Sequence, residues 1–343
     1  MRSTIKDVAK RAGVSTTTVS LALNDPHSSI SDRTRELVAQ ATRELNYRPN
    51  RLAVSLVTKK THTIGLLIAD NKNTLQAAFS SQIESAAADS GYSIIFGTTH
   101  ESVKNTIHHL YDFSDRGVDG IIITQSIFDD PKDTDLCLSA IEELRVPVVL
   151  TDRVHDASTK DMVMINDFKG GYDAIKYLLD IGHRDIGLVT GSMKVTNCIK
   201  RLDGCKKAFS DADIPFNESY IYEGDFSLYS GIDALPYLLG KKVTAIFAFS
   251  DMMAYGVYKA AANFNLNIPG DLSVVGFDDV FFSDIITPPL TTMEFPIRDM
   301  ATAVIKLLVK HIDDPSQAPS QVISFDPTLK VRGSTKKINS HET

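Results

Sequence analysis

The chain has 343 residues, 23% of them charged and 43% hydrophobic, with a formal net charge of −7. That length and apolar share exclude a disordered polymer, and three cysteines exclude a disulfide scaffold. No apolar run is long enough to span a bilayer, and no secretory signal precedes the first helical pattern, so a cytoplasmic protein is expected.

Residues 4–25 read as a helix-turn-helix. Ile5, Val8, Ala9 and Ala12 recur at i, i+3, i+4 and i+7, the apolar stripe of one short helix. Gly13 stops that helix, because glycine reaches positive φ without steric penalty, and Val14 tucks under the turn. Ser15 is placed to cap a second helix, on which Val19 and Leu23 face inward. Thr16, Thr17 and Ser20 stay outside, where base edges and phosphates of duplex DNA would lie. A small helical cap on some other domain would share the apolar spacing. Against it stands the hydroxyl run Ser15–Thr18, which is poor helix material. A third helix also follows, opened by Ser31 and carried by Leu37, Val38, Ala41 and Leu45. Charge is segregated as well: residues 1–60 hold 11 Lys and Arg against 5 Asp and Glu, leaving 25 against 38 in the remainder. A basic head on an acidic body is the footprint of a two-part DNA-binding protein.

Pro49 disfavours helix at Arg48, Asn50 can cap a brief helix running to about Leu56, and residues 57–61 form a polar linker. Ile5–Ser15 and Tyr47-Arg48-Pro49-Asn50 resemble the headpiece of the LacI/GalR family of bacterial transcription regulators, and the resemblance continues to about Arg332. It implies two chains whose heads read the half-sites of a near-palindromic operator. It further implies a hinge helix at about 50–56 that folds on DNA, with Leu56 wedged into the minor groove. The DNA-binding set it implies is Thr4, Ser15, Thr16, Thr17, Thr18, Ser20, Leu21, Asn24, Arg33, Asn50, Ala53 and Leu56. Leu21 departs from the polar or basic residue of many members, so it would touch a thymine methyl where they bond a guanine. Val54 and Val57 replace basic hinge residues of relatives, which shifts the expected binding toward the heads.

Residues 62–335 alternate strand and helix. Apolar runs at 63–69, 92–97, 118–124, 146–151, 186–190, 245–249 and 273–277 read as parallel strands buried on both faces, with helices between. The expected fold is therefore an all-α helix-turn-helix headpiece plus an α/β core of two doubly wound parallel-sheet lobes, like the periplasmic binding proteins. The head takes residues 1–49 and the hinge 50–61. The core takes 62–335, with lobe 1 at about 62–161 and 291–320 and lobe 2 at about 162–290 and 321–335. A polar tail, 336–343, lacks leucine heptads, so a homodimer is expected and not a coil-joined tetramer.

Ligands of such sheets sit at the carboxyl ends of strands. There the chain carries Asp70-Asn71, Asp152-Arg153, Ser250-Asp251 and Asp278-Asp279, with Arg201 on the helix after the Gly191 loop. Carboxylates, amides, an arginine and an aromatic face suit a polyhydroxylated ligand. By resemblance, Arg201, Phe226 and Asp278 match effector-contacting positions, joined by Asp152 and Asn71. Asp251 reads instead as the cap of the helix that follows, and Asp279 as a cap or a solvated carboxylate. Val195, Leu75 and Gln76 replace an arginine and aromatics of purine-responsive relatives, which favours a sugar over a purine. No phosphate-cradling glycine loop, Gly-x-Ser-x-Gly elbow or metal-ligand spacing is present, so neither an enzyme, a metal nor a cofactor is expected. His183 reads as structural, and Cys137, Cys198 and Cys205 as small buried hydrophobes. Two other readings remain: the same regulator answering to a phosphoprotein partner, and a sugar-modifying enzyme with a DNA-binding head.

Overall fold

The structure is a computed structural model and describes residues 3–25, 28–48, 54–55, 58–70, 73–124, 131–151, 161–314 and 320–338. The chain divides into two compact units, Met1–Thr61 and His62–Thr343.

In the first unit, α1 (Ile5–Ala12), α2 (Thr16–Asn24) and α3 (Asp32–Glu44) close on a core of Val8, Ala9, Val19, Val38 and Ala41. Gly13 adopts φ +70°, and the Val14 N–H returns to the Ala9 carbonyl, the left-handed stop that frees the chain to turn. Leu37 was expected in this core but is exposed, because Val38 and Ala41 already fill the inward face of α3.

The second unit holds two six-stranded sheets. In the first lobe β1 (Thr63–Ile68), β2 (Ser93–Thr98), β3 (Gly120–Ile123), β4 (Val148–Thr151) and β5 (Asp161–Ile165) alternate with α4 (Thr74–Asp89), α5 (Val103–Asp115) and α6 (Pro131–Glu143). In the second, β6 (Ile186–Thr190), β7 (Ile221–Glu223), β8 (Ala245–Ala248), β9 (Ser273–Asp278) and β10 (Thr291–Glu294) alternate with four helices. These are α8 (Thr196–Asp211), α9 (Leu228–Leu239), α10 (Asp251–Asn263) and the short α11 (Phe282–Ile285), with α7 (Asp167–Asp180) leading in. Then α12 (Ile297–Asp313), β11 (Val322–Phe325) and β12 (Thr328–Lys330) complete both lobes. The strand orders are β11-β5-β4-β3-β1-β2 and β12-β10-β9-β8-β6-β7. All pairings are parallel except β10–β12, so the expected all-parallel second sheet carries one antiparallel edge. Parallel strands covered on both faces must be apolar at every position. In the first sheet Ile64, Leu66, Ile122 and Val149 face one core, and Leu67, Ile121, Ile123 and Leu150 the other.

The chain crosses between lobes three times, but each crossing falls later than expected. β5 belongs to the first sheet, so the first crossing follows Ile165 and not residue 161. β10 belongs to the second, so the next follows Glu294 and not 290. β11 returns to the first sheet, so the last follows Phe325 and not 320. Each lies one short strand beyond the expected boundary, and of these three strands only β11 is a sheet edge. The tail also begins later than 336. The Ile338 N–H bonds the Ile181 carbonyl, and buried His183 is hydrogen-bonded through its ring nitrogens to Thr244 and to the Lys336 carbonyl. No helix among the described residues is long and apolar enough to cross a membrane.

Asp251 organises the segment that follows β9. Ser250, not Asp251, caps α10, its hydroxyl accepting the Met253 N–H. Asp251 is fully buried, and its carboxylate accepts from the Val280 N–H at 3.0 Å and from the hydroxyls of Ser283 at 2.5 Å and Thr292 at 2.6 Å. Asp279 instead pairs with Arg332 at 2.7 Å. Burial pushes the Asp251 carboxyl up to about 6, against the three hydrogen bonds that favour its ionised form. An acid whose folded pKa lies above its unfolded value stabilises the fold most at low pH, and that contribution is lost as pH rises through about 6. Asp251→Asn removes the titration. The stability of the parent protein relative to this variant should therefore fall by about 3 kcal/mol between about pH 4 and 6, then level off. Urea unfolding across that range checks this, and a difference that stays flat with pH contradicts it.

Candidate functional site

The head presents α2 outward. Thr16, Thr17, Leu21 and Asn24 are exposed, and half-buried Ser20 stands between them. Thr17 with Leu21, and Thr16 with Ser20 and Asn24, stand four residues apart, so they form one stripe along the helix. Arg33 is exposed in the first turn of α3. Three expected contacts are occupied within the head. The Ser15 hydroxyl accepts the Thr18 N–H at 3.0 Å and lies 2.8 Å from the Thr18 hydroxyl. The Thr4 N–H and hydroxyl both donate to Asp7 at 2.8 Å, which holds that carboxyl below the usual carboxylate range. Thr4, Ser15 and Thr18 thus start helices, with Thr4 and Ser15 still exposed. Asn50, Ala53 and Leu56 lie outside the described residues.

Sequence reasoning missed Arg35. Its guanidinium donates to the carbonyls of Ala22, Asp25 and Ser28 and to the Ser28 hydroxyl, at 2.7–3.1 Å. Four acceptors fixed by one side chain lock the end of α2 against α3. Three of the four are backbone carbonyls, which no residue type signals.

In the core, a cleft lies where strand ends of the two lobes face each other. The first lobe supplies the start of α4, Asn73 to Gln76. The second supplies Asn197 and Arg201 from α8, Phe226, Phe249, Ser250 and Asp278, and Phe295 follows β10. Three of the five expected effector residues, Arg201, Phe226 and Asp278, therefore meet in one cavity; Asn71 and Asp152 lie outside the described residues. Phe226 sits at φ +65° and Asp278 at φ +124°, backbone conformations that an L side chain adopts at a cost. Strain at two cavity residues is held in place by the lobe around them.

Arg201 is tied more tightly than its sequence suggests. It is only 4% exposed. Its Nη2 lies 2.5 Å and its Nε 3.2 Å from Asp167 Oδ1, and its Nη1 donates to the Phe249 carbonyl. Its guanidinium lies 3.3 Å from the centroid of the Phe277 ring. Asp167 opens α7, whose cap is Asn166. The pair can form because α7 and α8 cross at glycines: a Cβ on Gly171 would lie 1.9 Å from the Arg201 carbonyl oxygen, and one on Gly204 1.9 Å from that of Phe168. Sequence gave no sign of Asp167, which stands 34 residues from its partner. Phe249 and Phe295 were also missed; both follow the last residue of a strand.

Other groups weighed for chemistry are structural. Burial pushes the Cys137 thiol up to about 12 and Cys205 higher still, so neither offers a thiolate near neutrality. Among the described residues no cluster of His, Cys, Asp and Glu could hold a metal ion.

Comparison with known proteins agrees with this division. Residues 4–50 match the model of bacterial regulatory proteins of the lacI family, and residues 175–335 that of a periplasmic binding protein-like domain. The chain is 34% identical over 340 residues to the HTH-type transcriptional repressor PurR of Actinobacillus pleuropneumoniae, covering 98% of this chain and 99% of that one. Among solved structures it superposes on the lac repressor dimer bound to operator and the anti-inducer ONPF with a TM-score of 0.84, at 28% identity, over 98% of this chain and 100% of that one. The transcriptional regulator CelR in complex with cellobiose gives 0.72, at 28% identity, over 97% and 100%.

Removing one member of a buried ion pair leaves the other charged and unsolvated, which costs about 3–5 kcal/mol. Arg201→Ala should therefore lower the stability of ligand-free protein by about that amount, read as a shift in urea midpoint. An unmoved midpoint would mean that Asp167 finds another partner at no cost.

Proposed function

The chain belongs to the lacI family of bacterial regulatory proteins, DNA-binding regulators under effector control, and we propose that it represses a metabolic operon and is governed by a sugar bound between its core lobes. The observation that carries the sugar reading is the meeting of Arg201, Asp278 and Asn197 with Phe226 in one inter-lobe cavity. Donors and acceptors beside an aromatic face match a ring that has hydroxyls at its rim and C–H bonds on its faces. A solved relative that superposes over the whole chain binds cellobiose, and the lac repressor structure carries operator and anti-inducer together.

The head reads DNA through the α2 stripe, and phosphates are met by the surrounding basic residues. The chain acts as a homodimer, since one head covers only one half-site. The exposed apolar side chains Phe281, Phe282 and Ile285 on the second lobe supply surface for a second copy. Ligand between the lobes favours one lobe arrangement, and the hinge carries that preference to the heads. Because the coupling is a free energy, operator must alter effector affinity by the same factor that effector alters operator affinity. The curated relatives are transcriptional regulators, so we read the core as a sensor and not an enzyme.

Selection from random DNA followed by titration tests this reading. The purified full-length protein should enrich a near-palindromic site, and cellobiose, ribose, glucose or galactose should change its affinity for that site. A protein that prefers no oligonucleotide over scrambled competitor at physiological salt refutes the DNA assignment; operator binding that no sugar moves refutes the effector. Leu21→Arg should shift the selected base at one position of each half-site from thymine to guanine, by about 1–3 kcal/mol of discrimination. Repeating the selection with the variant reads this directly.

A further inference from the structure

The cleft holds an arginine, yet its described charges do not add up to an anion site. Arg201 is matched at 2.5 Å by Asp167, which stands on a neighbouring helix. Of the five N–H bonds on a guanidinium, two go to Asp167 and one to the Phe249 carbonyl. Two remain for a ligand, on a group whose charge is already balanced. The other charged residue lining the cavity is Asp278. Among the described residues that line the cavity, Arg201 is the one cation, and Asp167 balances it.

Hydrogen-bond supply points the same way. The Asn197 side-chain oxygen is buried and has no hydrogen-bond partner among the described residues. A buried acceptor left unsatisfied costs about 1–3 kcal/mol, so the site favours a ligand that brings a donor. Of the helix starts at the cavity, those of α4 and α10 are capped by side chains, whereas that of α8, with Val195 at its cap position, is not. Asn73 accepts the Gln76 N–H, Ser250 accepts the Met253 N–H, and Gln76 Oε1 accepts the N–H groups of Ala69 and Asp70. Hydroxyls donate; a phosphate or carboxylate at neutral pH accepts.

Building on the effector reading above, we propose that Asp167 is a specificity-determining residue: by neutralising Arg201 it makes the cleft take uncharged, polyhydroxylated ligands and reject their phosphorylated and carboxylate forms. Asp167 does this without lining the cavity, as a positioning residue that acts through Arg201. Its removal gives back an uncompensated guanidinium, the group best suited to grip phosphate.

The test uses matched pairs on the full-length protein: ribose with ribose 5-phosphate, glucose with glucose 6-phosphate, galactose with galacturonate. Binding is read by thermal shift, and its effect by operator affinity. In the parent protein the charged member of a pair should bind at least tenfold more weakly than its neutral parent. In Asp167→Asn the phosphorylated members, and inorganic phosphate alone, should gain at least tenfold, and the gain should vanish in the Asp167→Asn/Arg201→Ala double variant. Asp167→Glu should restore rejection of anions, which separates charge from mere packing. The proposal is overturned if the parent protein binds a phosphorylated sugar as well as its neutral partner, or if Asp167→Asn leaves the ratio unchanged. Should no neutral sugar move operator affinity while the phosphate contrast between parent and variant persists, the sugar reading fails and the charge rule stands.

Discussion

A full positive charge in a site that is 4% exposed is the constraint around which the core is arranged. Arg201 cannot stay there unless its hydration shell is replaced. Three elements replace it: Asp167 from α7, the Phe249 carbonyl from the end of β8, and the face of Phe277 from β9. None of these is near it in sequence. They arrive because Gly171 and Gly204 let two helices touch through their backbones, and because a parallel sheet brings β8 and β9 side by side. Loss of either glycine would push the helices apart and strip the ion pair before any ligand arrived. Packing and ligand chemistry are therefore one problem in this lobe, solved by the same few contacts.

A second buried carboxylate, between the cavity residues Ser250 and Met252, plays a corresponding role. Asp251 gathers Val280, Ser283 and Thr292, and so fixes the segment that carries Phe281, Phe282 and Ile285 to the surface. The exposed apolar patch is built on a polar anchor. The anchor fixes the segment while Phe281 and Phe282, packed edge to face, stay largely exposed.

The parts of the molecule that could be read from sequence are those with local causes. The stop at Gly13, the cap at Ser15 and the apolar interior strands each follow from residues within a few positions, and all are present. Arg201, Phe226 and Asp278 were reachable because strand ends and family resemblance both point to them. What could not be read depends on distance or on edges. Asp167 and Arg35 act through partners that only folding supplies. The strands β7, β11 and β12 are three or four residues long and half exposed, so no apolar run marks them. Misplacing β5, β10 and β11 moved every lobe boundary by a few residues. Asp251 was rightly read as structural, but its hydroxyl neighbour does the capping and the carboxylate is spent on three donors brought by later elements.

The order in which the ribosome delivers these strands has its own outcome. Strands β11 and β12 lie only two residues apart, yet they form the edge of different sheets. Neither lobe is finished until the last tenth of the polypeptide has emerged. A message truncated before β11 would leave both sheets with a bare hydrogen-bonding rim, open to neighbouring nascent chains. The three-helix head, by contrast, is complete after the first fifth of synthesis. Quality control of the sensor is thus vested in its final residues, while an orphaned head would retain its fold without any governor.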